Sequence, residues 1–197
     1  MEGLRIGNLA MVAIAALASM ASASGTGAIG YTIDPAHARV QAKVGFFGLG
    51  SKTARFPHSE GHVALSDRDA KAVTLDVRID TQTLEAGDAL TRSRLRGPDF
   101  FDVDHYPRVT FHAAGMTRTG PHSATVTGTI SARGVTRPAA LAVDFSRDFA
   151  AMTGREPVHI AATTRIDRRD FGMTAYPLIV GRQVTIAIDA DLVPVGG

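Results

Sequence analysis

The 197-residue sequence contains no cysteine and no tryptophan. Without a thiol the chain can form no disulfide bond, no cysteine-ligated zinc site and no iron–sulfur cluster, and it has no thiolate nucleophile. An excess of one charge is also missing, because 21 basic and 19 acidic side chains leave a net charge of +2. So small an excess gives no signal for nucleic-acid binding. The length fits one domain or at most two small ones, and an apolar content of 45% is enough for a folded core.

Enzyme motifs are absent as well. The sequence has no Gly-x-Ser-x-Gly elbow, no His-Glu-x-x-His pair, no phosphate-binding loop and no dinucleotide fingerprint. We therefore predict a protein that is not an enzyme and that has no catalytic residue, metal or cofactor. One alternative remains open, a metal-dependent enzyme that uses the acidic cluster from Asp99 to His105. A polar turn, in which carboxylates cap neighbouring backbone groups, is the favoured interpretation of that cluster.

The N-terminus is typical of a secretory signal peptide. Arg5 precedes a mostly apolar run from Ile6 to Met20, and the small residues Ala21-Ser22-Ala23 follow. The apolar part is about a dozen residues long, which is too short to span a membrane. We predict that residues 1–23 are cleaved and that residues 24–197 form a single exported domain. A short buried N-terminal helix is the alternative.

Apolar and polar residues alternate with a period of two along much of the remaining chain. This pattern is typical of half-buried β-strands. The strong and weak examples are Val73–Ile79, Val158–Ile166, Val184–Leu192, Val40–Phe46, Val109–Ala113, Ala124–Ile130 and Leu141–Phe145. The pattern predicts about eight antiparallel strands, arranged either in a closed barrel or in a two-sheet sandwich. The alternation gives each strand two faces without naming the inner one.

One stretch, from Leu84 to Leu95, breaks the alternation. Asp88 is a good helix N-cap, and Gly97 followed by Pro98 stops a helix. The sequence thus predicts one short helix near residues 87–96, in a long connection between strands. A parallel α/β fold would need a helix between most strands, so we predict an all-β fold.

Two segments combine aromatic and charged residues at strand ends. They are Gly97–Pro107, with three aromatic residues among acids, and Arg165–Met173, with charges of both signs beside Phe171 and Met173. In a structural interpretation, the aromatics plug a barrel end and Arg–Asp pairs hold the loops. In a functional interpretation, the same residues form an amphipathic pocket mouth, where an Arg fork holds an anionic head group. Both interpretations stay open.

Four motifs in order carry a family resemblance. They are Tyr31–His37, Leu95–Pro107, Gly128–Pro138 and Ile166–Met173. On these motifs the chain resembles the YceI-like family of bacterial periplasmic, polyisoprenoid-binding proteins. The resemblance implies a lipocalin-like antiparallel β-barrel with a long apolar tunnel. It also implies a periplasmic location and the binding of an isoprenoid lipid, such as a polyprenyl or a quinone.

The sequence departs from the family pattern around one hairpin. Phe46 stands where many members have a His, Ala54 replaces a Gly, and Ser59 replaces a Phe. Because these positions follow the first long strand, the departures bear on ligand identity and pocket shape there.

The resemblance and the aromatic clusters together predict the ligand-binding residues. The candidate apolar lining is Phe46, Phe47, Phe56, Phe100, Phe101, Phe111, Phe171 and Met173, and the candidate head-group contacts are Arg168, Arg169 and Tyr176. We expect an exported carrier of an isoprenoid-type lipid, and the sequence leaves open an inner-membrane protein partner and a homodimer. A packed-barrel module for stress response or protein interaction is the alternative, and a structure without a continuous tunnel would favour it.

Overall fold

The computed structural model of the protein describes residues 28–66 and 73–195. The predicted signal peptide and its cleavage site lie outside the described residues. Those residues form eleven strands and one α-helix. The elements are β1 (Ala28–Ile33), β2 (Arg39–Phe46), β3 (Gly50–Phe56), β4 (Ser59–Ser66), β5 (Val73–Asp80), β6 (Glu85–Ala86), α1 (Ala89–Arg96), β7 (Arg108–Arg118), β8 (Ser123–Ala132), β9 (Val135–Phe145), β10 (Val158–Asp167) and β11 (Val180–Pro194).

The strands close into an antiparallel barrel. Hydrogen-bonded neighbours follow the order β1-β4-β5-β7-β8-β9-β10-β11, and β11 pairs with β1 to complete the circle. In that closing pair Tyr31 lies opposite Pro194 and Ile33 opposite Leu192. Closure leaves the barrel body without an exposed sheet edge. The all-β barrel is confirmed, and the sandwich alternative is wrong.

The eleven segments amount to the eight predicted strands because the first three barrel strands are interrupted. Both β1 and β2 pair with β11, β1 near Leu192 and β2 from Val180 to Asp189, so they form one bent strand. A 3-10 turn at Pro35–His37 makes the bend. Pro57 separates β3 from β4, and a second 3-10 turn at Thr81–Thr83 separates β5 from β6. Each bend carries its strand from the closed barrel body onto an extension at one end.

Alternation alone did not show which face of each strand points into the barrel. In the structure it is the mostly aliphatic face. Leu75 and Val77 of β5 and Ile188 of β11 point into the barrel. Close packing makes one glycine necessary on β8, because a Cβ at Gly128 would lie 2.2 Å from the His112 carbonyl oxygen. This close approach accompanies an irregular register between Ala113 and Gly115 of β7. The body core is therefore mostly aliphatic and closely packed at this point.

Helix α1 confirms the predicted short helix. The Asp88 carboxylate accepts a hydrogen bond from the Thr91 amide at 2.7 Å, and the Gly97 amide ends the helix by donating to the Arg94 carbonyl at 3.1 Å. The following segment folds back onto the helix, since the Phe101 amide donates to the Leu95 carbonyl at 2.9 Å. No helix within residues 28–66 and 73–195 is long and apolar enough to cross a membrane.

Candidate functional site

The barrel body encloses a small apolar cavity of about 100 Å³, called the body cavity below. Inward side chains from all eight barrel strands surround it, and almost all of them are aliphatic. They include Ile33, Val40, Ser59, Val63, Leu65, Val73, Leu75, Val77, Ile79, Val109, Phe111, Met116, Val126, Ile130, Leu141, Val143, Ile160, Ala162, Thr164, Ile186, Ile188, Ala190 and Leu192. A volume of this size is what remains in a nearly filled core.

A second cavity of about 430 Å³ opens at the end of the barrel that carries α1, and it is called the mouth cavity below. Its walls are β2, β3, the start of β11, helix α1 and the loops after α1 and β10. The lining residues are Ala42, Val44, Phe46, Phe47, Lys52, Thr53, Ala54, Asp88, Leu90, Thr91, Arg94, Leu95, Phe100, Phe101, Arg168, Met173, Tyr176, Ile179, Val180 and Val184. None of these residues lines the body cavity.

A pair of phenylalanines lies at the boundary between the two cavities. The rings of Phe56 and Phe101 meet edge to face with centroids 5.4 Å apart. Phe56 belongs to a small buried cluster that includes Val40, which lines the body cavity, and Ala54, which lines the mouth cavity. Phe101 lines the mouth cavity and also packs against the body core. The two cavities thus share no lining residue, whereas the resemblance implied one long tunnel.

Polar groups collect along one edge of the mouth cavity. The Lys52 ammonium lies 3.0 Å from the Asp88 carboxylate and 3.3 Å from the Thr91 hydroxyl. Asp88 also accepts hydrogen bonds from the amide and the hydroxyl of Thr91. These bonds, with the Thr91 amide as the largest cause, hold the pKa of the Asp88 carboxyl far below its usual range. Asp88 is therefore ionised at any physiological pH, and Lys52 balances its charge.

An unpaired arginine completes that edge. Arg94 of α1 is exposed, and its guanidinium lies 5.4 Å from the ring centroid of Tyr176. Tyr176 in turn stacks on Phe100 with centroids 6.1 Å apart. Among the described residues Arg94 has no carboxylate partner, so its fork of donors faces the cavity opening without a fixed acceptor.

Arg168, predicted as a head-group contact, lines the mouth cavity but is bound to the backbone. Its side chain is 3% exposed, and each guanidinium nitrogen donates to a carbonyl. Nε reaches Gly181 and Nη2 reaches Val180, both at 2.9 Å, and Nη1 bonds the Met173 carbonyl. Burial lowers the pKa of Arg168. The side chain thus positions the segment between β10 and β11, which differs from the predicted head-group role.

The segment around Arg168 matches the structural interpretation in one further contact. The Asp167 carboxylate accepts from Nε and Nη2 of Arg182 at 3.0 and 2.8 Å. Its pKa is lowered, first by the hydrogen bond from the Arg169 amide and then by Arg182. An Arg–Asp pair therefore holds this loop, while Phe171 beside it is buried at 2% exposure in the body core.

The predicted site residues divide by place. Seven of them line the mouth cavity, namely Phe46, Phe47, Phe100, Phe101, Arg168, Met173 and Tyr176. Phe111 lines the body cavity, Phe56 lies in the boundary pair, and Phe171 and the exposed Arg169 line neither cavity. The departures from the family pattern all fall on cavity walls, with Phe46 and Ala54 in the mouth cavity and Ser59 in the body cavity.

Sequence reasoning missed the polar edge formed by Lys52, Asp88, Thr91 and Arg94. A signal for part of it was present, because positions 88, 91 and 94 are spaced by three and so share one side of a helix. Lys52 carried no such signal, since it lies on β3 and reaches Asp88 at the start of α1 from a distant part of the sequence.

The acidic cluster of the enzyme alternative forms a turn. Nδ1 of His105 lies 2.9 Å from the Asp102 carboxylate, and the amides of His105 and Tyr106 both donate to the Asp102 carbonyl. The hydrogen bond with Asp102 raises the pKa of His105, whose side chain is 78% exposed. Residues 28–66 and 73–195 contain no group of three or more His, Asp or Glu side chains placed to hold a metal ion.

Comparison with known proteins gives a family match over most of the chain. The model of the YceI-like domain matches residues 31–192. A UPF0312 protein of Vibrio cholerae serotype O1 is 28% identical over 167 residues, covering 84% of this chain and 87% of the relative. A UPF0312 protein of Pseudomonas putida is 28% identical over 163 residues, covering 82% and 85%.

Two solved structures share the fold. Burkholderia cenocepacia BcnA superposes with a TM-score of 0.71 at 20% identity, covering 81% of this chain and 98% of that one. A polyisoprenoid binding domain from Saccharophagus degradans, implicated in plant cell wall breakdown, superposes with a TM-score of 0.64 at 14% identity, covering 84% and 98%.

Proposed function

The chain belongs to the YceI-like family, and on that premise we propose that it binds an isoprenoid-type lipid, a polyprenyl or a quinone, in the mouth cavity. The observation that carries the proposal is the cavity itself, about 430 Å³ of mostly apolar wall with polar groups along one edge. Pockets for small amphiphilic ligands have this composition, with an apolar lining and a few placed polar groups. The fold relative from Saccharophagus degradans, named for polyisoprenoid binding, supports the same ligand class.

The cavity volume sets the part of the ligand that is enclosed. An apolar cavity of about 150 Å³ holds benzene, or roughly 25 Å³ for each ligand heavy atom. On that scale the mouth cavity of about 430 Å³ encloses about 17 heavy atoms, or about three five-carbon units. A longer tail would extend into solvent, because the mouth cavity shares no lining residue with the small body cavity.

The polar edge suits an oxygen-bearing head group. Arg94 has donors without a fixed acceptor, and hydrogen bonds from a guanidinium to oxygen are among the stronger ones in proteins. The Lys52 ammonium already contacts Asp88 and Thr91, so it stabilises the polar edge. Arg94 is the group that donates to the head group of the ligand. The head-group contacts we propose are therefore Arg94 and Tyr176, in place of Arg168 and Arg169.

We also propose that the protein is a non-enzymatic carrier that is exported to the periplasm. Binding of a lipid in such a cavity needs no catalytic group or cofactor. Burial of an apolar chain alone stabilises a complex by about 0.8 kcal/mol per CH₂ group. The N-terminal sequence pattern supports export. The packed-barrel module is the second candidate, and the small size of the body cavity is the observation that favours it.

Mass spectrometry of the organic extract from purified protein tests the binding proposal. A prenyl lipid should be recovered from the wild type and in much smaller amount from Ala42→Phe, whose added ring would occupy part of the mouth cavity. Ala161→Phe is the matched control, since Ala161 is exposed on the outside of β10. Absence of any prenyl lipid from the wild type, together with no uptake of an added prenyl quinone, would contradict the proposal and favour the packed module.

A further inference from the structure

Large apolar side chains are exposed around the opening of the mouth cavity. Of the seven such side chains within the described ranges, five belong to this region. We call them the apolar rim: Phe47, Leu49, Leu90, Tyr176 and Leu178. The exposed fractions of Leu49 and Leu178 are 100% and 96%, so these two contribute nothing to the core. Single exposed apolar residues are ordinary, but a contiguous group marks an interaction site.

The backbone holds the rim in place. The Phe47 amide donates to the Ile179 carbonyl at 2.8 Å, which ties the β2–β3 turn to the turn before β11. Within the second turn the Tyr176 carbonyl accepts from the amides of Ile179 and Val180. Phe47 and Tyr176 both have a φ of 53°, a conformation that non-glycine residues keep only where the surroundings enforce it. Hydrogen bonding therefore links the two turns that carry Leu49 and Leu178.

The unpaired charges on α1, the helix that carries Leu90 of the rim, are basic. Arg92 and Arg94 of α1 are exposed, and neither has a carboxylate partner in the part of the chain that the structure describes. Among the residues that line the mouth cavity, Asp88 is the one acid, and Lys52 balances it. The face around the opening thus combines leucine tips with free positive charge, which is the composition that binds anionic lipid surfaces.

We propose that the apolar rim docks on an anionic phospholipid bilayer, with Leu49 and Leu178 entering the acyl region and Arg92 and Arg94 contacting the head groups. This deepens the proposed function and rests on it for its purpose, because a docked mouth cavity would exchange a prenyl chain with the bilayer without exposing it to water. A second copy of the chain covers the rim less well. In a two-fold pairing the same surface meets itself, which would bring the unpaired arginines of both copies together.

Flotation of the full chain with vesicles, without added ligand, tests the docking. The wild type should float with phosphatidylcholine vesicles that contain phosphatidylglycerol and only weakly with phosphatidylcholine alone. Leu49→Ser combined with Leu178→Ser should weaken binding by at least about tenfold, because two leucine side chains leave the acyl region. Arg92→Gln with Arg94→Gln should reduce binding to the level of neutral vesicles. Val195→Ser, an exposed apolar residue that lines neither cavity, should change nothing.

The proposal is overturned if the wild type does not float with anionic vesicles, or if the double serine variant floats as well as the wild type. It is also overturned if that variant only converts a two-copy species to one copy in light scattering, since the rim would then be a dimer interface. Binding of water-soluble geraniol, measured separately, reports on the proposed function. Flotation without geraniol binding would support docking and contradict the proposed ligand. Geraniol binding without flotation would support the proposed ligand and contradict docking.

Discussion

The two cavities of this barrel are built from the same strand pattern and yet differ fourfold in volume, about 100 Å³ against about 430 Å³. Around the body cavity all eight barrel strands point aliphatic side chains at one another, and they fill the space. Around the mouth cavity three strands remain, and α1 and two loops supply the rest of the wall. The helix and the loops are not spaced as regularly as paired strands. Their side chains therefore do not interdigitate as closely, and space is left between them. The barrel body is therefore well packed because the sheet is closed there. The mouth cavity is open because the sheet is not closed around it.

The largest change in stability that we expect comes from Arg168, which holds the loop after β10 at the wall of the mouth cavity. Arg168→Met should reduce the free energy of unfolding by about 3 kcal/mol or more, because it removes buried hydrogen bonds to three carbonyls, each costing about 1–3 kcal/mol when left unmade. Chemical denaturation measures the change. The neighbouring Arg169→Met is the matched control, since Arg169 is exposed and surface changes usually stay within about 0.5 kcal/mol. Equal losses in the two variants would show that the carbonyl bonds are not what holds this wall.

The same substitution placed in each cavity compares their free space directly. Alanine to phenylalanine adds a ring that needs about 150 Å³, more than the body cavity offers and less than the mouth cavity holds. Ala162→Phe should therefore destabilise the fold by about 1–3 kcal/mol, whereas Ala42→Phe should leave the midpoint of denaturation nearly unchanged. Similar losses at both sites would mean that the mouth is as tightly packed as the body.

The boundary between the cavities can be weakened at Phe101. Phe101→Leu removes the ring that meets Phe56 and should let a longer prenyl chain pass toward the body cavity. Burial of one more isoprenoid unit should strengthen binding by about tenfold or more. Phe47→Leu, on the outer side of the same cavity, is the control and should not extend the accepted chain length. If Phe101→Leu gains nothing with longer chains, the boundary lies elsewhere.

The smallest effect concerns the turn that follows α1. The Asp102 hydrogen bond raises the pKa of His105 above its ordinary value of 6.5. A raised folded-state pKa adds stability that is fully present below 6.5 and is lost as the pH rises through the folded value. Asp102→Asn should bring the pKa of His105 back toward 6.5, as followed by NMR titration of the imidazole. An unchanged titration curve would show that Asp102 and His105 do not interact in solution.

Local patterns were enough to predict the parts of the fold that depend on neighbours in sequence. Alternation in Val73–Ile79 gave a strand, and Asp88 with Gly97 gave the ends of α1. The inner face followed only from closure, because alternation is the same on either side of a strand. The family resemblance supplied the barrel, including its closure, which the period of two left open.

The site was predictable in its aromatic lining and not in its polar edge. Phe100 and Phe101 stood out as an aromatic pair among acids, and both line the mouth cavity. Lys52 and Asp88 are 36 residues apart, and nothing local connects them before the chain folds. Arg168 shows the opposite case, since a charged residue beside an aromatic resembled a ligand contact, whereas its guanidinium donates to carbonyls at the start of β11. A donor's partner depends on tertiary structure, which residue type does not reveal.

Under the proposed function the mouth cavity, and not the body cavity, holds the prenyl chain. Titration of the wild type with prenyl alcohols of increasing length, followed by native mass spectrometry, tests it most directly. We expect one bound chain per protein, with affinity that rises up to about three isoprenoid units and then levels off, as the enclosed volume requires. We also expect that Ala42→Phe, whose ring takes about 150 Å³ of the mouth cavity, lowers this limit to about two isoprenoid units while the protein remains folded. No binding at any length, or a chain-length limit that Ala42→Phe leaves unchanged, would contradict binding in the mouth cavity.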